Sequence, residues 1–391
     1  MYSRAIIFLL FFSSFAYAQE TISFKKIGEV KPRHAKEIDA SPWSVGAETM
    51  DRDFIIYDNF REYLGPLGVK KARIQSGWAK TEKIKGVYDW RWLDEIIPDM
   101  VAQGVTPWVN ISYGNAVYAD GGGLGLYAKK ILPTSTDALK GWQNYVKALV
   151  ARYKDYVNEW EVWNEPNGGA DPLEYANLLV TTAEAVKSIQ PEGKILGIAL
   201  GSGVDYQYAD KVLAEVHRMG KVHLIDQVTH HRHRPLPEEN HNEIMLEKVL
   251  DKYSENIIAR QGEAGCPSGD GEFAMHDLEW SELKQQKHLL RRMMTDFGRG
   301  KETSVFIIID AKYEQNGKIR WNRKGLLRAN DNKKVEKVKP AYFSVQNVTS
   351  IFDSSMTTIK NYPYEVNNNR SVSLYGIENI YTKNQSVAIW V

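Results

Sequence analysis

The chain has 391 residues, 43% of them hydrophobic and 25% charged, a globular composition that excludes a disordered polymer. Fifty basic residues against 49 acidic ones leave a net charge of +1, so nothing in the balance points to nucleic acid or a membrane surface as a partner. With one cysteine, Cys266, no internal disulfide can form, and the core must carry the stability.

The first element is a processing signal. Arg4 precedes the apolar run AIIFLLFFSSF, and Ala16-Tyr17-Ala18 is an A-x-A cleavage site, so residues 1–18 are expected to be removed and the mature chain to begin at Gln19. Export to a periplasm or the medium is the expectation. That run is too short to span a bilayer comfortably, and no later segment is more apolar, so no membrane insertion is expected. Residues 19–38 include TISFKKIGEVKP, which alternates as an edge strand does and is expected to form an N-terminal β segment.

From residue 39 to 353 strand-like runs alternate with helical ones. WSVGAE precedes FIIYDNFREYLGPLG, KKARIQSGW precedes DWRWLDEIIPDMVAQG, and TPWVNISYG precedes GWQNYVKALVARYKDY. NEWEVWNEP is followed by PLEYANLLVTTAEAVKSIQP, KILGIALG by DYQYADKVLAEVHRMG, and HLIDQVTHH by EIMLEKVLDKY. NIIARQGEAG leads into SELKQQKHLLRRMMTDFG, and SVFIIID into AYFSVQNVTSIFD. Eight successive strand–helix units predict an α/β fold, a closed (β/α)8 barrel. Neither a dinucleotide-binding nor a phosphate-loop glycine motif is present, and GGGLG at 121–125 reads as a plain flexible loop; no cofactor is implied. Residues 354–391 read as short strands (TTIKNYPYEV, RSVSLYGIENIYTK, QSVAIWV), expected to join the N-terminal segment in a small β-sheet or partial sandwich. The chain stops mid-strand at AIWV, so a truncated β-domain is expected there.

Catalytic residues of such barrels lie at the carboxyl ends of strands. Glu165 closes the fourth strand in WEVWNEPN and Glu263 the seventh in QGEAG, which places them across the barrel mouth from one another. Two opposed carboxyl groups are what glycoside cleavage requires: one protonates the leaving oxygen, and the other attacks the anomeric carbon or activates water. Glu161 lies deeper, where a structural ion pair with a barrel arginine is the simpler reading.

At this point a resemblance becomes specific. WEVWNEPN resembles the acid/base motif of retaining (β/α)8 glycoside hydrolases of clan A, above all the β-xylosidase/α-L-iduronidase family. That clan carries its acid/base after an asparagine on strand four and its nucleophile on strand seven, which matches Asn164, Glu165 and Glu263. VKKARIQSGW resembles the segment that supplies an arginine near the nucleophile, here Arg73. VTHHRHR resembles the sixth-strand pattern of a histidine followed by an aromatic, with His231 and His233 standing in it. GEAG replaces the commoner Thr-Glu or Ser-Glu pairing, and FIIIDAKY lacks the tryptophan often found on strand eight. The resemblance implies Glu165 as acid/base, its carboxyl raised by neighbours such as Trp163, and Glu263 as nucleophile, held ionised by Arg73. It implies Asn164 on the sugar 2-hydroxyl, His231 or His233 on substrate or nucleophile, and Trp78, Tyr113 and Trp321 as stacking surfaces, with a carbohydrate as the partner.

Several other readings compete. His230, His231 and His233 invite a metal, but 230 points away from the face that 231 and 233 share, so no metal site is expected. A non-catalytic carbohydrate-binding barrel would have lost one glutamate, and a polysaccharide lyase using His231 or Tyr113 as base would not need two opposed carboxylates. Arg232, Arg234, Lys312 and Arg320, on loops after strands six and eight, suggest a mouth that favours an anionic or sulfated sugar.

Overall fold

The computed structural model describes residues 28–123, 130–201, 203–315, 317–367 and 371–391. The expected signal peptide and cleavage site, and residues 19–27 of the expected β segment, lie outside them. Lys31–Val391 forms one compact unit; of the separate segment Met1–Val30 only residues 28–30 are described, without helix or strand.

Eight parallel strands close into a barrel in sequence order: β1 (Trp43–Gly46), β2 (Lys71–Gln75), β3 (Thr106–Ile111), β4 (Glu159–Val162), β5 (Lys194–Leu200), β6 (Gln227–His231), β7 (Ile258–Ala264) and β8 (Thr303–Val305). Pairing of β1 with β8, Val45 opposite Val305, closes the ring. The helices follow as sequence periodicity demands. After β1 come only short turns and α1 (Leu64–Leu67), and after β2 come α2 (Trp78–Thr81) and α3 (Arg91–Ala102). The remaining units carry α4 (Thr136–Tyr153), α5 (Pro172–Lys187), α6 (Tyr206–Arg218), α7 (His241–Tyr253), α8 (Glu282–Gly298) and α9 (Pro340–Ile351). In α4 the Ser135 side chain caps the first turn by accepting from the Ala138 N–H, and Ala138, Trp142, Tyr145, Leu149 and Tyr153 form the buried stripe.

The barrel interior is polar where branched apolar layers are usual. Near its amino end Glu159 takes Lys71 at 2.8 Å and Arg260 at 2.7 Å. One level up, Glu161 accepts from Arg73 and from Asn110. The Trp108 ring lies between the Arg73 and Arg260 guanidinium groups, 5.4 and 4.2 Å from its centre. The structural reading of Glu161 as an arginine-paired acid therefore holds.

Two features differ from the sequence expectation. Between β8 and α9 the chain inserts two antiparallel hairpins, β9 (Ala311–Gln315) with β10 (Lys318–Asn322), and β11 (Leu327–Ala329) with β12 (Val335–Val338). The Asn316-Gly317 pair between β9 and β10 is the hairpin signal that marks the first. Among the described residues the small sheet is built from C-terminal strands, β13 (Met356–Ile359), β14 (Ser373–Asn379) and β15 (Gln385–Trp390). Residues 28–38 supply no strand to it, only a 3-10 turn at Ala35–Glu37, because His34 and Glu37 cap each other's backbone and wind the chain there.

Candidate active site

A cavity of about 540 Å³ opens at the carboxyl end of the barrel. Glu165, Glu263, Asn164, Tyr113, His231 and His233 line it, so six of the nine residues singled out from the sequence come together there.

The backbone aims both acids. β4 ends at Val162, and Trp163 and Glu165 then take left-handed φ values of 63° and 49°. Such conformations cost about 1–3 kcal/mol each in a non-glycine residue and persist only where the surroundings hold them. Here the Trp163 N–H donates to the Ile111 carbonyl and the Glu165 N–H to Ala199, both at 3.0 Å. Trp163 turns away from the cavity, under Tyr113 and Trp142, while Glu165 turns inward. A Cβ at Gly201 would stand 2.5 Å from the Glu165 carboxyl carbon, so only glycine leaves that carboxyl where it is. On β7 a bulge does the aiming. Thr229 and His231, two apart on β6, pair with Arg260 and Glu263, three apart on β7, and the extra residue brings Glu263 onto the inward face.

The two carboxyl groups converge on one imidazole. His231 Nδ1 lies 3.0 Å from Glu165 Oε1 and 3.5 Å from Glu263 Oε1, and the three donor atoms are all within 4.8 Å of one another. His233 donates Nδ1–H to the Gly265 carbonyl at 2.9 Å, which leaves Nε2 facing Glu263 Oε2 at 3.7 Å. Glu165, His231 and Glu263 are the one group with cation-binding spacing among the described residues, although Arg73 already holds one oxygen of that set.

Beneath them Arg73, fully buried, ties the site together. Its Nη1 reaches Glu263 Oε1 at 2.5 Å and Glu48 Oε1 at 3.2 Å, and its Nη2 donates to Glu161 and to Asn164 Oδ1. Asn164 Nδ2 in turn donates to the Tyr113 hydroxyl at 2.8 Å. Arg73 therefore lies under the cavity floor and acts through Glu263 and Asn164.

The electrostatics separate the acids. Burial alone would raise the Glu263 carboxyl, but the neighbouring His231 and His233 rings and the Arg73 guanidinium outweigh it and bring it to about 2. Glu48, at the end of β1, is pushed up to about 8 by burial and by the Glu263 charge. One guanidinium nitrogen serves both carboxyl groups, and the proton stays on Glu48. The linkage has opposite signs. Glu263, depressed, stabilises the fold above pH 4.5, and that contribution is lost as pH falls toward 2. Glu48, raised, contributes fully below pH 4.5, and its contribution is lost as pH rises through 8. Urea unfolding of Glu48→Gln should therefore show stability rising relative to wild type between pH 5 and 8; an unchanged difference over that window would remove the proton from Glu48.

Two expected contacts are absent from the cavity wall. Trp78 is fully buried among Tyr118, Trp142 and Tyr145, because Gly77 at φ 61° starts α2 and turns the ring into the core. Trp321 faces away, under the Arg323 guanidinium at 3.9 Å: on β10 the cavity side carries Arg320 and Asn322, and Trp321 takes the opposite face of the pleat. The aromatic wall is Tyr113, Phe273, Phe306 and Tyr313. Of the four basic residues on the mouth loops, Arg232 is buried against Glu243 and Lys312 pairs with Glu314; Arg234 and Arg320 line the cavity. Glu48, Thr49, Arg52, Gln75, Asn322 and Lys324 also line it and were not singled out from the sequence. For Glu48 the signal was present, an acid at the carboxyl end of a barrel strand in WSVGAE.

Residues 71–262 match the model of glycosyl hydrolases family 39, from the second strand through most of the seventh. The chain carries a glycosyl hydrolase family 39 domain. Over 140 residues it is 29% identical to a β-xylosidase of Geobacillus stearothermophilus; that match covers 33% of this chain and only 28% of the relative. Among solved structures, a family 39 glycoside hydrolase from the gut symbiont Bacteroides cellulosilyticus WH2 superposes with a TM-score of 0.66 at 18% identity, over 90% of this chain and 70% of that one. A monomeric β-xylosidase from Caulobacter crescentus CB15 gives 0.60 at 17% identity, over 87% and 74%. At these identities the two structures speak to the barrel fold alone.

Proposed function

We propose that this protein is a glycoside hydrolase, in preference to a non-catalytic barrel or a lyase, and that it cleaves O-glycosidic bonds of a plant or microbial polysaccharide or oligosaccharide with retention, Glu165 acting as acid/base and Glu263 as nucleophile. The observation that carries the reading is the approach of an oxygen of each carboxyl group to within 4.8 Å with His231 between them. Retaining pairs stand about 5–5.5 Å apart, whereas inverting pairs need about 6.5–9.5 Å to admit a water. In the first step a Glu263 oxygen bonds to the anomeric carbon as the exocyclic C–O bond breaks, and the Glu165 proton goes to the departing oxygen. Arg73 holds Oε1 of Glu263, which leaves Oε2 for the attack. In the second step water adds to the anomeric carbon, its proton returns to Glu165, and the ester to Glu263 breaks. Asn164, oriented by Arg73 and Tyr113, offers its amide to the sugar 2-hydroxyl.

The relative named a β-xylosidase makes a β-xyloside one probe of a wider panel. Aryl glycosides of differing sugar and anomeric configuration should reveal at least one that is hydrolysed by the wild type and not by Glu263→Gln; a panel cleaved equally by both proteins would end the proposal. We also propose export, from the Arg4, apolar and A-x-A pattern. Mass spectrometry of secreted protein should show Gln19 as the first residue, and an intact Met1 there would refute it.

A further inference from the structure

His231 and His233 line the cavity and His230 does not, so the three neighbouring histidines do not meet there as one ligand set. What the barrel assembles instead is a single imidazole between carboxyl groups from the ends of β4 and β7. His231 Nδ1 stands 3.0 Å from Glu165 Oε1 and 3.5 Å from Glu263 Oε1, and the three atoms all lie within 4.8 Å of one another. The ligands of a four-coordinate zinc ion lie about 2.0–2.2 Å from the metal and therefore roughly 3.3–3.5 Å apart. Both distances from Nδ1 are near that spacing. The His231 side chain is fully buried, so its nitrogen is aimed before any ion arrives. Glu165, its side chain 19% exposed, has room to close the remaining gap.

A second observation comes from His233. Its Nδ1–H is spent on the Gly265 carbonyl at 2.9 Å, which leaves a bare Nε2 facing Glu263 Oε2 at 3.7 Å. A lone pair and a carboxylate oxygen repel one another, and a cation beside Glu263 relieves that repulsion. A backbone carbonyl on the far ring nitrogen is also the contact that fixes the tautomer of metal-binding histidines. Arg73 does not compete for the same space. It reaches Glu263 Oε1 from beneath the cavity floor, and a carboxylate oxygen keeps a second lone pair for the cavity side.

The donor set selects the ion. One imidazole nitrogen with two carboxylates suits zinc, whereas magnesium and calcium take oxygen ligands and more of them. The same set limits the affinity. His231 Nε2 is buried without a partner, and a metal-binding histidine that lacks an acceptor there loses about 10–100-fold in affinity. Such an ion exchanges and is no resident cofactor.

We propose that Glu165, His231 and Glu263 form a reversible zinc site, and that a bound ion shuts the enzyme by occupying both carboxyl groups. The ion displaces the proton that Glu165 gives to the leaving oxygen and ties up the charge with which Glu263 attacks. Binding rests on the geometry alone; inhibition rests on the glycosidase reading proposed above.

Isothermal titration of the full chain, stripped with EDTA and dialysed, tests the site with zinc, magnesium and calcium chlorides. One zinc ion per chain should bind about tenfold or more tighter than either other ion. His231→Gln and Glu165→Gln should each weaken zinc by about tenfold or more, whereas His223→Gln, at an exposed position, should leave it unchanged. Glu165→Gln keeps the test open if His231→Gln fails to fold, because its side chain is partly exposed. Turnover of any glycoside that the wild type cleaves should stop with zinc and return with EDTA. Magnesium bound as tightly as zinc, zinc affinity unchanged in both variants, or full turnover at saturating zinc each overturns the proposal. Zinc binding with an inverted product leaves the site standing and removes the retaining reading, and retention without zinc binding does the reverse.

Discussion

Glu263→Gln should abolish turnover of every glycoside that the wild type cleaves, by more than the roughly 10⁴-fold that loss of an acid–base group produces. A neutral amide cannot form the glycosyl ester, and no other carboxyl group can replace it. Glu48 shares the Arg73 nitrogen from the end of β1 and does not occupy the place of Glu263 on β7. The fold should survive, because Arg73 still pairs with Glu161 and the amide oxygen still accepts from Nη1. Removal of the Glu263 charge also removes the main charge opposing ionisation of Glu48, which should then give up its proton more readily and compensate the guanidinium. Steady-state rates on an activated aryl glycoside decide the matter; residual activity within tenfold of wild type would contradict the role.

Glu165→Gln should behave differently. Glycosides with poor leaving groups should slow by about 10²–10⁴-fold, whereas dinitrophenyl glycosides, which need no protonation to depart, should form the glycosyl-enzyme at close to the wild-type rate and then hydrolyse slowly. Azide, a nucleophile that needs no general base, should restore turnover of Glu165→Ala and yield a glycosyl azide of retained configuration. A uniform loss across leaving groups would mean that Glu165 positions substrate and does not transfer a proton.

Much of this was legible in the chain. The eight alternations of strand and helix give the barrel, and the WNEP motif and the acid in QGEAG give the pair, because position at a strand's carboxyl end is fixed by topology alone. Rules of alternation carry less far. Glu263 faces inward through a bulge at Gly262, which breaks the two-residue period, and Glu165 through left-handed turns beyond the end of β4. Trp78 and Trp321 look like sugar platforms in sequence, yet a glycine-started helix buries one and the pleat of β10 turns the other outward.

Glu263 attacks the anomeric carbon, and water then displaces it from the face that the leaving group vacated. Proton NMR of the first-formed product, recorded before mutarotation on whichever aryl glycoside is cleaved fastest, tests it most directly. The anomeric proton should show the same configuration as the substrate. A first-formed product of opposite configuration would mean a single displacement by water and would remove Glu263 as the nucleophile.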